Sequence, residues 1–357
     1  MTSLERIQAA LRTAPLPALL LMSAENRFYA TGFPASDGGC IITAHSAHFF
    51  TDARYIEAAR NSCGEGLAVG LCSRDRPLTE CLKAVIKEEG ITSLGAEEAS
   101  LSYAEYGRLS KALGVEFIPA QKMLTELRAS KSALELEALI SAQRIAEKAL
   151  YETLPLVKPG ARERDIAAEL TYRMLRHGAE GNSFPPIVVS GKKSSMPHGV
   201  PGDKLIERGD FVTMDFGCVK NGYCSDMTRT VAVGAATDEM RNVYSTVLSA
   251  QLAGIAAARP GATGAEVHAA AAKVIAAAGF EEYFTHGFGH GVGIEIHEAP
   301  TASPANQEPL PEGAVISAEP GIYLEGRFGV RIEDVLYLTG NGCRDITLAP
   351  KELIILD

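Results

Sequence analysis

The chain has 357 residues, a length that fits two domains or one large one. Hydrophobic residues make up 46% of it and charged residues 22%, the composition of an ordinary globular enzyme. The formal net charge of −10 argues against nucleic acid as a partner. No apolar run reaches the roughly 18 residues of a membrane span, and residues 19–22 are too few for the core of a signal peptide. We therefore expect a cytoplasmic protein with no membrane partner.

The segment from residue 1 to residue 125 is predicted to form a small α/β domain. Short apolar runs predict its strands, and amphipathic runs predict its helices. It contains no catalytic constellation, and we assign His45 and His48 structural or solvent-facing roles. The predicted strands are residues 18–22, 40–43, 48–51 and 116–119, and the predicted helices are residues 54–61, 78–89 and 103–113.

A helix start follows this domain. Residues 132–135 have the Ser-x-x-Glu pattern of a capping box, which precedes an apolar-periodic run over residues 136–154. Pro155 ends the predicted helix. We place the boundary between the two domains near Thr125, so the second domain comprises residues 126–357.

The second domain contains an internal repeat. The sequence Lys-Pro-Gly-Ala at residues 158–161 matches Arg-Pro-Gly-Ala at residues 259–262. Each half then has a histidine followed three residues later by proline, at His198 and His297, and each half closes with an acidic hairpin. We expect the halves to pack about a pseudo-two-fold axis and to bring their acids to one central sheet. The helices predicted after the matched segments are residues 161–177 and 263–278.

The first acidic hairpin is centred on Asn-Gly at residues 221–222, a strong signal for a two-residue type I′ turn. This turn sets Asp215 opposite Thr228 and Gly217 opposite Asp226. Because side chains alternate along a strand, Asp215 and Asp226 become diagonal neighbours on one face, about 7–8 Å apart. Two such carboxylates in an apolar strand pair repel each other unless a proton or a cation lies between them.

The second acidic segment repeats this plan with Glu319, Gly321 and Glu333, although its longer loop leaves the register open. A glycine-rich stretch between the two hairpins carries His286, His290 and, in the next few residues, His297. Four buried acids beside histidines need a counter-charge, and two divalent metal ions supply it.

The seven cysteines include no Cys-x-x-Cys pair, and their odd number indicates free thiols in a reducing compartment. Cys218 and Cys224 flank the turn of the first acidic hairpin. Free cysteines usually pack as small buried hydrophobes, so we assign both to packing, with a metal role as the alternative.

With these residues in place, the chain resembles the proline-specific metallopeptidases of the pita-bread fold, the aminopeptidase P and prolidase family (peptidase family M24). Residues 26–33 and 51–55 resemble the creatinase-type N-terminal domain of that family. The resemblance implies an α/β (α+β) chain: a creatinase-like domain over residues 1–125 and a pita-bread catalytic domain over residues 126–357. It also implies a homodimer that acts on small proline-containing peptides.

The resemblance assigns roles to named residues. His198 and His297 match the histidines that line the family's active site and contact substrate, and His286 matches a further active-site histidine. The residues that match the family's five metal ligands are Asp215, Asp226, His290, Glu319 and Glu333.

Four carboxylates and one imidazole form an oxygen-rich site, which favours Mn²⁺ or Co²⁺, with Zn²⁺ or Fe²⁺ as alternatives. We expect two metal ions about 3.5–4 Å apart to activate a water for attack on the carbonyl before proline. Glu319 is predicted to pass that water's proton to the leaving prolyl nitrogen. His297 is predicted to stabilise the oxyanion, and His198 to position the proline side of the substrate. Phe184, Phe288 and Tyr323 are weak candidates for the proline pocket, since each type is more often core.

Substrate length divides the two activities of the family. A dipeptidase must pair the free carboxylate of proline with a cation, and related prolidases often place an arginine shortly after the histidine that matches His297. Here residues 298–313 contain no Arg or Lys. Arg331 remains as a candidate substrate-binding residue, but its strand position puts it on the face of Glu333 and ties it to that acid. We therefore predict an Xaa-Pro aminopeptidase.

Three alternatives stay open. The first is an Xaa-Pro dipeptidase of the same family, in which another loop supplies the cation. The second is a methionine aminopeptidase, although those enzymes usually lack an N-terminal domain of this size. The third is a peptide-binding protein that has kept the fold without activity, which the presence of all five ligand matches argues against.

Overall fold

The computed structural model describes residues 1–357, which divide into two compact units, Met1–Arg128 and Ala129–Asp357. The position near Thr125 that the sequence suggested for the boundary lies inside a helix, Gln121–Ala129. No helix combines the length and the apolar composition that crossing a bilayer requires.

The first unit is a six-stranded mixed sheet flanked by helices, with strand order β4-β3-β2-β1-β5-β6. Neighbouring strands β1, β2 and β3 pair antiparallel, whereas the β3/β4, β1/β5 and β5/β6 pairs are parallel. In chain order the elements are α1 Ser3–Leu11, β1 Ala18–Leu21, α2 Ala24–Thr31, β2 Gly39–Thr43, β3 Ala47–Thr51, α3 Ile56–Ser62, β4 Ala68–Leu71, α4 Leu78–Glu89, β5 Ser93–Ala96, α5 Tyr103–Leu113, β6 Glu116–Pro119 and α6 Gln121–Ala129.

The sequence predicted α4, α5 and β6 with their observed bounds, and it missed α1, α2, β4, β5 and α6. Strands β4 and β5 have four residues each and contain Gly70 and Gly95, which lower strand propensity. Their pairing is parallel and therefore depends on distant strands, so local sequence carries little signal for them.

The second unit contains four helices and fourteen strands, arranged as two helical layers around central sheets. Its helices begin at strong caps: Ser132 and Thr263 form capping boxes with Glu135 and Glu266. The elements are α7 Ala133–Thr153, α8 Glu163–Arg176, β7 Gly181–Asn182, β8 Ile187–Ser190, β9 Phe211–Phe216, β10 Cys218–Lys220, β11 Tyr223–Cys224, β12 Met227–Val233, α9 Asp238–Ala257, α10 Gly264–Ala277, β13 Gly289–Gly291, β14 Glu298–Ala302, β15 Val315–Ala318, β16 Gly321–Leu324, β17 Phe328–Arg331, β18 Asp334–Thr339, β19 Gly342–Asp345 and β20 Ile355–Leu356.

The internal repeat is visible in matched backbone hydrogen bonds. The Gly160 N–H donates to the Ile206 carbonyl over 2.9 Å, and the Gly261 N–H donates to the Leu310 carbonyl over the same distance. Both glycines have positive φ, +88° and +84°, as a turn before a helix requires here. In each half the same turn therefore joins the two helices of a pair, and an acidic hairpin follows further along the chain.

Two sheets, rather than the single central sheet that the sequence analysis expected, carry the acidic hairpins. One has the order β20-β12-β9-β8, and the other has the order β14-β13-β15-β18-β19. They meet where the Glu333 N–H donates to the Thr228 carbonyl over 3.1 Å. The expectation of one sheet is wrong because both hairpins break their pairing next to the acids, which splits the ladder.

The alternation of side chains along β9 decides where the first hairpin faces. Val212, Met214 and Phe216 pack in a cluster with α7 and α8. Phe211 packs with α9, α10 and the second sheet instead. Asp215 has the parity of Phe211, so it points toward the second half of the unit and away from α7 and α8.

The turn of the first hairpin has the predicted form, since Asn221 and Gly222 both have positive φ, +51° and +74°. Lys220 pairs with Tyr223, which confirms the predicted register. Gly217 serves a purpose that the sequence did not reveal: a Cβ there would lie 1.9 Å from the Ser225 carbonyl oxygen. The backbone of the returning strand therefore lies directly against this glycine.

Replacing Gly217 by alanine is expected to lower the free energy of unfolding, because the added Cβ has no room against the Ser225 backbone. Overpacking of this kind costs about 1–3 kcal/mol. Gly181→Ala is the matched control, since a Cβ at Gly181 on the neighbouring strand meets nothing within 4 Å. Urea unfolding of both variants measures the difference, and equal midpoints would contradict this account of Gly217.

Candidate metal centre

The first hairpin delivers two of the five predicted ligands. Asp215 pairs with Thr228 across β9 and β12, as predicted, and Asp226 lies just before β12 begins. Both aspartates are buried, with 8% and 3% of their surface exposed. The hairpin therefore holds two carboxylates side by side in the interior.

The second hairpin holds its acids differently. Strands β15 and β18 pair up to Ala318 and Asp334, and strands β16 and β17 resume pairing at Gly321 and Arg331. Glu319 and Glu333 lie in the gap between these pairs and face each other directly. The two hairpins thus resemble each other in plan, but the acids are diagonal in the first and opposed in the second.

His290 brings the two hairpins together. Its Nε2 lies 3.1 Å from Glu319 Oε1 and 3.5 Å from Asp226 Oδ2. Its Nδ1 donates to the Gly291 carbonyl over 3.1 Å, because a carbonyl can only accept. The imidazole is thus oriented with Nε2 toward the acids. The ligand atoms of Asp226, His290 and Glu333 all lie within 4.8 Å of one another.

Burial and mutual repulsion dominate the electrostatics of the acids. Burial, followed by the charge of Asp215, raises the pKa of Asp226 well above its usual range. Burial, followed by the charge of Asp226, raises the pKa of Glu333 in the same way. Burial also raises the pKa of Asp215, although the Arg331 guanidinium opposes it. The ionised forms of these three carboxyls are therefore disfavoured unless a further cation lies beside them.

Glu319 and His290 form the exception as an ion pair. Burial acts to raise the pKa of Glu319, but the hydrogen bond and charge of His290 outweigh it and hold that pKa at about 2. Burial acts to lower the pKa of His290, but Glu319 and then Asp226 raise it to about 9. Glu319 is therefore the acid of the group that stays ionised most readily.

Arg331 supplies the one fixed positive charge among the residues that line the site. Its Nη2 donates to Asp215 Oδ2 over 2.5 Å, its Nη1 to the Tyr323 hydroxyl over 2.8 Å, and its Nε to Thr228 Oγ1 over 3.1 Å. Its ion pair is thus with Asp215 and not with Glu333, the partner that its strand position suggested. That expectation is wrong because β17 ends at Arg331, so the alternation of a continuous strand does not extend to Glu333.

Two neighbouring hydroxyls, which the sequence analysis did not single out, orient the acids. Ser317 Oγ accepts a hydrogen bond from the backbone N–H of His290 and donates one to Glu319 Oε1, both over 3.0 Å. Thr228 Oγ1 donates to Glu333 Oε2 over 2.7 Å. Thr228 lies opposite Asp215 in the register that the sequence predicts, which is a signal that could have indicated it. The role of Ser317 depends on the fold around His290 and has no such signal.

The donor atoms fit a divalent cation. Asp215 Oδ1 and Glu333 Oε1 are buried and have no hydrogen-bond partner. Buried polar atoms almost always have a hydrogen-bond partner or a ligand, so we expect these two oxygens to bind a ligand. Carboxylate oxygens with one imidazole nitrogen are donors that hard and borderline divalent ions accept.

The acids lie at a cavity of about 570 Å³, and all five predicted metal ligands line it. His198, His286 and His297 line it as well, together with an apolar wall that includes Phe184, as predicted. The remaining apolar lining residues are Pro185, Pro186, Ile187, Pro197, Val200, Pro201 and Ile296.

The other two aromatic candidates for the proline pocket lie elsewhere. Phe288 is fully buried in the hydrophobic core of the second half, packed against Gly254. Tyr323 is buried behind the cavity, where its hydroxyl bonds Arg331 and His286 Nε2. Neither is among the lining residues. An aromatic residue close to a metal ligand in sequence therefore does not have to line the cavity.

The three cavity histidines differ in how they are held. His286 uses both ring nitrogens, Nε2 with Tyr323 over 3.0 Å and Nδ1 with the Gly287 carbonyl over 2.8 Å. The ring of His297 lies 4.3 Å from that of His290, edge to face. Burial and the charge of His290 lower the pKa of His297, so its imidazole is held neutral. His198 is exposed at the cavity.

Comparison with known proteins places the site in a family. A model of metallopeptidase family M24 matches residues 137–340, and a model of the creatinase/prolidase N-terminal domain matches residues 4–130. The chain belongs to metallopeptidase family M24. This M24 metallopeptidase has the predicted creatinase-like domain and pita-bread domain, so both the family and the fold class are confirmed.

Relatives of this M24 metallopeptidase include named peptidases. An Xaa-Pro dipeptidase of Pyrococcus horikoshii is 37% identical, with 95% of each chain aligned. The structure of an Xaa-Pro dipeptidase from Bacillus anthracis matches with a TM-score of 0.94 and 40% identity, over 99% of each chain. An X-Pro aminopeptidase from Thermotoga maritima matches with a TM-score of 0.91 and 36% identity, over 97% of this chain and 99% of that one.

Asp226→Asn is expected to lower the affinity of the M24 metallopeptidase for divalent metal, because a neutral amide replaces a charged carboxylate in the cluster. Isothermal titration of the chelator-treated protein with Mn²⁺ measures this change. Asp203→Asn is the control, since it removes the same charge from an exposed residue outside the cavity. Equal Mn²⁺ affinity in the two variants would contradict the ligand role of Asp226.

Proposed function

We propose that this M24 metallopeptidase hydrolyses the bond between the first residue of a peptide and a proline in second position. The observation that carries the proposal is the convergence of Asp226, His290 and Glu333, with Glu319 and Asp215, on one cavity with an apolar wall. The Xaa-Pro names of its relatives support the same bond. A proline ring offers no N–H and must be recognised by shape, for which an apolar wall is suited.

The proposed cofactor is a pair of divalent ions held by Asp215, Asp226, His290, Glu319 and Glu333. Four carboxylates and one imidazole favour Mn²⁺, with Co²⁺, Zn²⁺ or Fe²⁺ as alternatives. When bound, such ions supply Lewis acidity and make water nucleophilic at neutral pH. Asp215 and Glu333 would each offer such ions a buried oxygen that has no hydrogen-bond partner.

Glu319 is the proposed proton carrier. The Ser317 hydroxyl donates to its Oε1 and orients the carboxylate, so it is placed to accept the proton of the attacking water. It then gives that proton to the prolyl nitrogen, which leaves as a secondary amine.

The three cavity histidines have separate proposed roles. His297, which is held neutral, is the proposed donor to the oxyanion that forms on the scissile carbonyl. His198, exposed at the cavity between Pro197 and Pro201, is proposed to position the proline side of the substrate. His286 has both nitrogens engaged, so we propose that it holds Tyr323 and Arg331 in place rather than transferring protons.

Arg331 bears on substrate length. It is the only arginine or lysine that lines the cavity, and its guanidinium already bonds Asp215, Tyr323 and Thr228. A proline carboxylate would therefore find no uncommitted arginine or lysine among the lining residues. This supports an Xaa-Pro aminopeptidase, which accepts a chain that continues beyond proline.

An Xaa-Pro dipeptidase is the second candidate. It is favoured by the names of the P. horikoshii and B. anthracis relatives, which are aligned over nearly their whole length. Its carboxylate partner would have to come from outside the lining residues or from the exposed His198. A methionine aminopeptidase is disfavoured because residues 4–130 match the creatinase/prolidase N-terminal domain.

The two candidates are separated by comparing Ala-Pro-Ala with Ala-Pro as substrates in the presence of Mn²⁺. We expect kcat/KM for the tripeptide to exceed that for the dipeptide, because no spare cation meets the proline carboxylate. Asp226→Asn serves as the control for contaminating peptidases. A ratio well below one would establish the dipeptidase, and cleavage of Met-Ala-Ala in preference to both would overturn the proline specificity.

His297→Ala is expected to keep metal and fold while losing about 10²–10³ in kcat, the usual effect of removing one oxyanion donor. Titration with Mn²⁺ and steady-state kinetics on Ala-Pro-Ala measure the two effects separately. Asp203→Asn, which changes an exposed residue outside the cavity, is the control. Loss of Mn²⁺ affinity equal to that of Asp226→Asn would instead make His297 a metal ligand.

The homodimer, the cytoplasmic location and the use of small proline-containing peptides stay predictions from the family resemblance. Light scattering at micromolar concentration tests the first of these. A single monomeric species would remove the homodimer from the proposal without affecting the ligand assignment.

A further inference from the structure

A buried polar network lies behind the candidate metal centre, on the side away from the cavity. Its members are Gln251 on α9, Arg229 on β12, Asp334 at the start of β18, and Lys351. Gln251 and Asp334 are fully buried, and Arg229 is 2% exposed. None of the four lines the cavity.

The Gln251 side chain bridges the two strands that carry Glu319 and Glu333. Its Nε2 lies 3.0 Å from the Ala318 carbonyl, 3.2 Å from the Ile332 carbonyl and 3.1 Å from Asp334 Oδ2. Ala318 precedes Glu319, and Ile332 and Asp334 stand on either side of Glu333. One amide nitrogen therefore contacts the backbone next to both acids.

The strand pairing explains why a bridge is needed there. The ladder between β15 and β18 ends at Ala318 and Asp334, and pairing resumes only at Gly321 and Arg331. Inside this gap Pro320 has no N–H to donate. The N–H groups of Glu319 and Glu333 turn outward to the Phe288 and Thr228 carbonyls instead of to each other.

Arg229 holds the other side of the same segment. Its five N–H groups all have acceptors: the carbonyls of Thr228, Glu333, Ala349 and Pro350, and Asp334 Oδ1, at 2.6–2.9 Å. The carboxylate of Asp334 also accepts from Lys351 Nζ over 2.5 Å. Asp334 is thus fixed from three directions, and Gln251 is the member that links it to the strand of Glu319.

From this geometry we infer that Gln251 is a positioning residue, which sets the separation of Glu319 and Glu333 for metal binding. The inference rests on the proposed metal site. The gap leaves the facing acids without ladder bonds to hold them, and repulsion between carboxylates drives them apart. The amide of Gln251 replaces the missing cross-strand bonds while it stays outside the cavity. Partners of this kind orient metal ligands, and losing them typically costs about 10–100-fold in metal affinity or activity.

The test uses Gln251→Met, which keeps side-chain length without the amide, and Gln251→Asn, whose shorter amide cannot reach both strands. Thr246→Val is the matched control, because Thr246 is a buried residue of the same helix whose hydroxyl bonds only the Asn242 carbonyl within the helix. Titration of the metal-free proteins with Mn²⁺, thermal unfolding, and kinetics on Ala-Pro-Ala are measured for each.

We expect both Gln251 variants to remain folded, to bind Mn²⁺ about 10–100-fold more weakly than wild type, and to lose kcat rather than raise KM. Thr246→Val should match wild type in all three. Wild-type Mn²⁺ affinity and kcat in folded Gln251 variants would overturn the inference. So would failure of both to fold beside a folded Thr246→Val, since Gln251 would then serve stability alone. A wild-type protein that binds no divalent metal would overturn the proposed site itself, and the positioning role with it.

Discussion

Repulsion among buried carboxylates is the constraint on which the centre of this protein depends. Asp215, Asp226, Glu319 and Glu333 meet in an interior where burial alone raises the pKa of an acid. Arg331 compensates one of them through its ion pair with Asp215, and the histidine between the hairpins compensates part of another. The remaining negative charge, together with two carboxylate oxygens that have no hydrogen-bond partner, is what a divalent cation satisfies.

The fold holds these acids against their repulsion by building the same unit twice. Each half has the same glycine turn between two helices, at Gly160 and Gly261, and ends in a hairpin that carries two acids. The halves differ at the acids, which are diagonal in the first hairpin and opposed in the second. The opposed pair needs more support, and it receives it from a glutamine and an arginine that bond the backbone beside the acids. The positions of Glu319 and Glu333 are thus fixed mainly by hydrogen bonds to the backbone at and beside them.

The cavity beside the acids is lined by apolar side chains and histidines. An apolar wall formed largely by prolines, Phe184 and Ile187 gives shape without charge, while the histidines supply the polar contacts. The single guanidinium at the cavity, that of Arg331, is paired with Asp215. This guanidinium therefore balances charge within the cluster of acids instead of standing unpaired at the cavity.

The sequence by itself determined the family and the two-domain fold class through the resemblance of its motifs. It also determined helix starts and the first hairpin, because these follow from local signals: capping boxes, the Asn-Gly turn, and the alternation that pairs Asp215 with Thr228. Only the tertiary structure decided that two sheets replace one, that Arg331 pairs with Asp215, and that Tyr323 lies behind the wall. It also showed that the backbone at Ser225 lies directly against Gly217. These features arise where strand pairing stops or distant segments meet. Periodicity describes a continuous strand, and it carries no information across a break or between residues that are a hundred positions apart.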